Sequence, residues 1–291
     1  MTEEVDKTIS DRIHDTMDNL TRAERQLALS VLENYPASGL GPLTALAKDA
    51  GVSVPTVARM VQKLGFGGYP EFQAGLRDEL SAQIKTPIAK HDTWAEAAPS
   101  EHILNKFAQA VMDNMRLTLG QIAPDDFDRA CALMADENRH LYIVGGRITH
   151  TLAEYMFLHM QVIRRHLTLV QSTANTWPHY LLNAKEGDVF VIFDVRRYEN
   201  NTLKLAEMAR ARGALIILMT DQWRSPVHQM AEVCFCNRIV APSAWDSMAT
   251  AMLLLETMIS AVQTLNWGET KERFEELEGM FDQTKLFRKF T

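Results

Sequence analysis

Five short apolar runs constrain the second half of this chain more than any other feature. They fall at residues 141–144, 167–170, 189–193, 215–219 and 233–236, and helical patterns such as 149–165 and 202–212 separate most of them. Runs this short, dense in Val, Ile, Leu and Phe, suit strands covered on both faces. Parallel strands need a crossover of about a dozen residues or more, and helices of this length supply it. The alternation specifies an α/β domain with a parallel five-stranded sheet flanked by helices. A long apolar helix over 248–262 follows, then a charged amphipathic helix over 269–289 carrying Phe274, Leu277, Phe281 and Leu286.

The first part, to about residue 80, has only the helical period. Thr21-Arg22-Ala23-Glu24 is a capping box, and Leu27, Ala28, Val31 and Leu32 form the stripe behind it. Pro36 and residues 39–42 punctuate the chain. A short helix with Leu43, Leu46, Ala47 and Ala50 on one face ends at Gly51. Ser53 caps the next helix and Pro55 sits in its first turn, where a missing N–H is harmless. Val54, Val57, Met60, Val61 and Leu64 supply its buried face, leaving Thr56, Arg59 and Lys63 outward. Two short helices joined at a glycine are what a helix-turn-helix requires. Its second helix enters the DNA major groove. Ser53 and the first-turn amides suit a phosphate. The Arg59 fork matches guanine N7 and O6. Lys63 and Lys48 suit phosphates. The same pattern also describes a plain helical hairpin with a solvated polar face.

Composition limits the partners. The 291 residues suggest two domains; 46% are hydrophobic and 23% charged, as in ordinary globular protein. No apolar stretch is long enough to span a membrane, and the acidic, polar N-terminus lacks a secretory pattern. Cys131, Cys234 and Cys236 are too few for a disulfide framework and read as free thiols of a reducing cytoplasm. The net charge of −7 opposes non-specific nucleic-acid binding. Residues 41–77 run the other way. Lys48, Arg59, Lys63 and Arg77 outnumber Asp49 and Glu71 there.

The segments LTRAERQLALSVLENYP and LTALAKDAGVSVPTVARMVQKLGFGGYPEFQAGL resemble the N-terminal domain of RpiR/MurR-type transcriptional regulators. The Leu-Thr start, Leu-Ala before Ala-Gly-Val-Ser, Thr-Val-x-Arg and Leu-Gly-Phe-x-Gly-Tyr-x-x-Phe come in the family's order. Met60 stands where the family often has Phe. The resemblance implies an all-α helix-turn-helix domain over residues 1–80 and a linker over 81–105. A SIS (sugar-isomerase) domain for effector sensing and oligomerisation follows over 106–265, then a C-terminal helix over 266–291. It also implies double-stranded DNA as partner, at a pseudo-palindromic operator, and self-association as dimer or tetramer. It implies no catalytic residue, cofactor or metal.

SIS domains bind phosphosugars in two loops at strand C-terminal ends, where α/β sheets keep their ligands. Both loops depart from the family pattern. The first, usually Gly-x-Gly-x-Ser, is Gly145-Gly146-Arg147-Ile148-Thr149. The second, usually Ser-x-Ser-Gly-x-Thr, is Asp194-Val195-Arg196-Arg197-Tyr198-Glu199. A hydroxyl-and-glycine cradle is replaced by acids that repel phosphate and arginines that clamp an anion from further out. The candidate effector-binding residues are Gly145, Gly146, Arg147, Thr149, Asp194, Arg196, Arg197 and Ser247, for a small anionic metabolite. Adjacent loop residues point apart, so one arginine faces inward. Ser243, Trp245 and Asp246 lie near this site, and Thr176, Trp177 and His179 are candidates for its mouth. Alternatively the arginines pair with Asp194 and Glu199, and the domain only oligomerises. A SIS-type sugar-phosphate isomerase, with Glu256 or a histidine as base, is the third reading.

Overall fold

A computed structural model describes residues 7–33, 35–96, 102–285 and 287. The chain forms two compact units, Met1–Ala98 and Pro99–Thr291.

The first unit is all helix: α1 (Ile9–Thr16), α2 (Arg22–Glu33), α3 (Leu43–Asp49), α4 (Val54–Lys63), α5 (Tyr69–Ile84) and α6 (Pro87–Glu96). The capping box forms: the Thr21 amide donates to Glu24 at 2.8 Å and the Glu24 amide to the Thr21 hydroxyl at 3.4 Å. Leu27, Ala28 and Val31 of α2 meet Leu46, Ala47, Val57, Met60 and Val61, with Phe72 and Leu76 of α5 behind them. Tyr69 ties α5 to the loop before α3 by donating to the carbonyls of Gly39 and Gly41. Helices α5 and α6 extend into the segment expected as a linker, whose residues 97–101 lie outside the described part.

The second unit opens with α7 (Ile103–Leu119) and α8 (Pro124–Ala135). Then come β1 (Leu141–Gly145), α9 (His150–Ile163), β2 (Leu167–Leu169), α10 (Trp177–Leu181), β3 (Val189–Phe193), α11 (Asn200–Arg210), β4 (Leu215–Asp221) and β5 (Val233–Asn237). Helices α12 (Ala249–Leu265) and α13 (Trp267–Thr284) complete it. All five strands are parallel, in the order β2-β1-β3-β4-β5. Alternate residues serve opposite faces. Leu141, Ile143, Val189, Val191, Phe193, Ile217 and Met219 pack against α8, α9 and α12. Tyr142, Val144, Phe190, Ile192, Ile216 and Leu218 pack against α10 and α11. Helix α12 buries one face, through Leu254, Leu255, Met258, Ile259 and Val262, and exposes Glu256, Thr257 and Ser260. It is less enclosed than the apolar run suggested, because Met252 and Leu253 remain half-buried. Phe274, Leu277 and Phe281 of α13 are half-buried; Leu286, Arg288 and Lys289 fall outside the described residues.

Candidate functional site

In the first unit α3 ends in a left-handed turn. Gly51 has φ +63°, its amide donates to Lys48, and the Val52 amide reaches back to Ala47 at 2.9 Å. This helix-ending bond pattern needs a left-handed residue, which glycine adopts without strain. The Gln26 side chain holds the turn by donating to the Ala50 carbonyl at 2.8 Å. Helix α4 is thus aimed by its core side chains and by α2.

Four expectations for α4 need correction. Thr56, read as outward, is buried at 4% exposure. Its hydroxyl pairs with that of Ser53 at 2.8 Å and accepts from Arg59 at 3.3 Å. Val54, read as core, is 40% exposed. Positions 54 and 56 flank the apolar stripe on opposite sides, and only one flank is covered. Ser53 occupies the N-cap, but its hydroxyl bonds Thr56 instead of a backbone amide. Lys63 is no free phosphate ligand: its ammonium donates to buried Glu24 at 2.7 Å and to the Asn19 carbonyl at 3.1 Å. Burial alone would raise the Glu24 carboxyl. The Lys63 and Thr21 hydrogen bonds outweigh it and hold the group below its usual range. The exposed residues of α4 are therefore Val54, Pro55, Ala58, Arg59 and Gln62, beside the paired Lys63, with Lys48 exposed on α3. Gln62 was missed, although its spacing of three from Arg59 puts it on the same face.

In the second unit the two loops after β1 and β3 do meet. Gly145 has no room for a side chain: a Cβ there would lie 2.6 Å from the backbone of Thr149 and His150. Thr149 is buried, accepts from the Gly146 amide at 2.9 Å and donates to the Phe193 carbonyl at 2.8 Å, joining the loops. Glu199 from the second loop accepts the Arg147 amide at 3.3 Å. Its carboxylate sits 3.0 Å from where a side chain on Gly146 would begin. The first loop thus holds one of the chain's own carboxylates.

The second loop is organised the same way. Arg196 and Arg197 both take φ +50°. The Arg196 amide donates to fully buried Asp221 at 2.7 Å, the Tyr198 hydroxyl to the same group at 2.6 Å, and the Trp223 amide at 2.9 Å. Tyr198 thus spends its hydroxyl on one of the chain's own carboxyls. Burial pushes the Asp221 carboxyl up. The Arg196 guanidinium stacks 4.4 Å over the Trp223 ring and pairs with Asp246 at 3.2 Å. Arg197 and Arg147 are exposed. The two arginines do point apart, but the inner one takes Asp246 as partner instead of Asp194 or Glu199. Asp194 accepts from the Ser225 hydroxyl, and burial raises its pKa to about 6. Ser247 accepts the Ala249 amide at 3.3 Å at the start of α12. Asp221, Trp223 and Ser225, outside both motifs, hold the site together; no sequence signal marked them.

Thr176 and His179 lie elsewhere, on a separate cavity beside β1 and β2, and Trp177 is buried with its indole N–H on the Gln171 carbonyl. Glu256 accepts the Tyr155 hydroxyl at 2.9 Å. Cys131 is buried, and the thiols of Cys234 and Cys236 lie 3.9 Å apart on one face of β5. Among the described residues no group of three or more His, Cys, Asp or Glu is placed to hold a metal ion, and no helix is long and apolar enough to cross a membrane.

Residues 7–83 match the helix-turn-helix domain of the rpiR family, and residues 133–261 match the SIS domain. The HTH-type transcriptional regulator HexR of Pseudomonas aeruginosa is 26% identical over 268 residues, 85% of this chain and 90% of that protein. The HTH-type transcriptional regulator RpiR of Escherichia coli is 20% identical over 250 residues, 84% of this chain and 81% of its own. The sugar isomerase domain of an RpiR transcription factor from Sphaerobacter thermophilus superposes with a TM-score of 0.55 at 18% identity. It covers 60% of this chain and 97% of that one. The Vibrio vulnificus NanR protein, in a structure complexed with ManNAc-6P, superposes with a TM-score of 0.53 at 16% identity, over 95% of this chain and 99% of its own.

Proposed function

The chain belongs to the rpiR family of helix-turn-helix proteins with a SIS domain, and on that premise we propose that it is a DNA-binding transcriptional regulator whose second unit responds to a small anionic metabolite. The observation that carries the proposal is α4 itself. It follows a glycine turn and is anchored on one side by Val57, Met60 and Val61. On the other side it offers Ala58, Arg59 and Gln62 to solvent. Arg59 and Gln62 suit base edges, and Lys48 suits a phosphate. One such helix spans only a few base pairs, so the functional form is a dimer or tetramer on a pseudo-palindromic operator. Exposed Leu104, Met112 and Leu119 on α7 favour self-association.

The alternative, a sugar-phosphate isomerase, needs a base above an anchored phosphate. The two loops carry the chain's own carboxylates, and a phosphate entering the first must displace Glu199. The relatives named above are regulators. The test is affinity for a selected duplex at fixed salt, beside a scrambled duplex. Arg59→Ala is expected to weaken specific binding by about 1–3 kcal/mol. Equal affinity of the wild-type chain for both duplexes would refute the proposal.

A further inference from the structure

The two cations of α4 are held in different ways. Lys63 is neutralised by Glu24. Arg59 is exposed, and among the described residues its side chain meets no carboxylate; it donates instead to the Thr56 hydroxyl at 3.3 Å. Residues 53, 56 and 59 recur at a spacing of three and lie along one flank of the helix. Long helical side chains lean back toward the N-terminus, which carries the Arg59 guanidinium over Thr56.

Proton bookkeeping fixes the direction of this chain of bonds. Thr56 is only 4% exposed. A buried hydroxyl needs an acceptor for its proton, and a guanidinium has no lone pair to offer. The other neighbour is the Ser53 hydroxyl at 2.8 Å. Thr56 therefore donates to Ser53 and keeps its own lone pairs for Arg59. Ser53 is itself tied to the first turn of α4, because its carbonyl accepts the amides of Thr56 at 2.9 Å and Val57 at 3.3 Å. The chain runs from Arg59 through Thr56 to the N-cap, and each bond polarises the next.

Such a tether changes what a base contact costs. A free arginine side chain gives up rotamer freedom when it docks, and one already held gives up less. The tether also leaves the reading atoms open. Arg59 Nη2 carries a second proton beside the one given to Thr56, and with the other guanidinium N–H groups it can still meet guanine N7 and O6. The guanidinium is kept near the N-terminal half of α4, the part of a recognition helix that meets base edges.

We infer that Thr56 is a positioning residue for sequence recognition: its buried hydroxyl presets Arg59 for a guanine edge, and it touches no DNA itself. The inference rests on the reading of the chain as a DNA-binding regulator and names a residue on which its specificity depends.

Thr56→Val is the informative variant. Valine keeps the shape of threonine, and Ser53 and Arg59 are both exposed, so water replaces their lost bonds and no buried group is stranded. Affinity of the full chain is measured at fixed salt for a duplex selected from a random library and for its scrambled counterpart. Thr56→Val is expected to weaken binding to the selected duplex about fivefold and to leave the scrambled duplex unchanged. Thr56→Ser, which keeps the hydroxyl, is expected to stay within about twofold of wild type. In an Arg59→Ala background Thr56→Val is expected to have no further effect, since nothing is left to orient. Melting temperatures are recorded for every variant. An equal loss on both duplexes that follows a lowered melting temperature would make Thr56 structural only and overturn the inference. So would an unchanged specific affinity in Thr56→Val, a loss in Thr56→Ser as large as in Thr56→Val, or an undiminished effect of Thr56→Val beside Arg59→Ala. Equal affinity of the wild-type chain for both duplexes removes the regulator reading, whereas a specific wild type matched by Thr56→Val removes the positioning role alone.

Discussion

The two polar regions of the second unit differ in where their hydrogen bonds end. In the loops at the C-terminal ends of β1 and β3, the amides of Arg147, Arg196 and Trp223 close on Glu199 or Asp221, and the hydroxyls of Thr149, Tyr198 and Ser225 close on the chain itself. In the cavity beside β2, the acids accept from the backbone, while Lys185, His166 and His179 are exposed to solvent. Buried polar groups are normally paired. Exposed groups exchange their bonds with water, so the buried loop region depends far more on its internal pairing for stability than the cavity does.

The largest expected effect tests the structural role of the loops. Asp221→Ala removes a fully buried carboxyl and strands three donors, so a loss of about 3–5 kcal/mol in unfolding free energy is expected. Denaturant unfolding measures it. A loss no larger than a typical surface substitution would erase the contrast between the regions.

A second effect depends on pH. The Asp194 pKa is about 6 in the fold against an ordinary 3.8, so the folded state binds this proton more tightly than the unfolded one. Its contribution is fully present below about pH 4 and declines as pH rises through about 6, by on the order of 2 kcal/mol. Asp221 is shifted the same way and adds to the slope. Asp194→Asn is therefore expected to flatten, without abolishing, the fall in thermal stability between pH 4 and pH 6.5. An identical pH profile in the variant would mean that Asp194 ionises normally.

The smallest effect is expected in the cavity. Lys185→Met closes no internal bond and should change stability by less than about 0.5 kcal/mol, as surface substitutions away from structural features do. A loss of more than about 1 kcal/mol would show that Lys185 has a structural partner, and the two regions would then be alike.

Much of this protein was legible in its sequence because the relevant signals are local. The five apolar runs became the five strands, and the Thr21–Glu24 box and the Gly51 turn formed from residues a few positions apart. The departures in the two loops were also plain, since they are identities at known spacing. What the sequence left open depends on neighbours brought together by packing. Thr56 and Val54 flank one helical stripe almost symmetrically, and only the arrangement of the surrounding helices decides which is covered. Lys63 looked free until α2 brought Glu24, thirty-nine residues away, within 2.7 Å. The pairing of Arg196 with Asp246, the convergence of three donors on Asp221 and the opening beside β2 are all contacts between segments distant in the chain. Periodicity and propensity act over a few residues and set the elements. Which charge is neutralised, and by which partner, is decided only when separate elements close on one another.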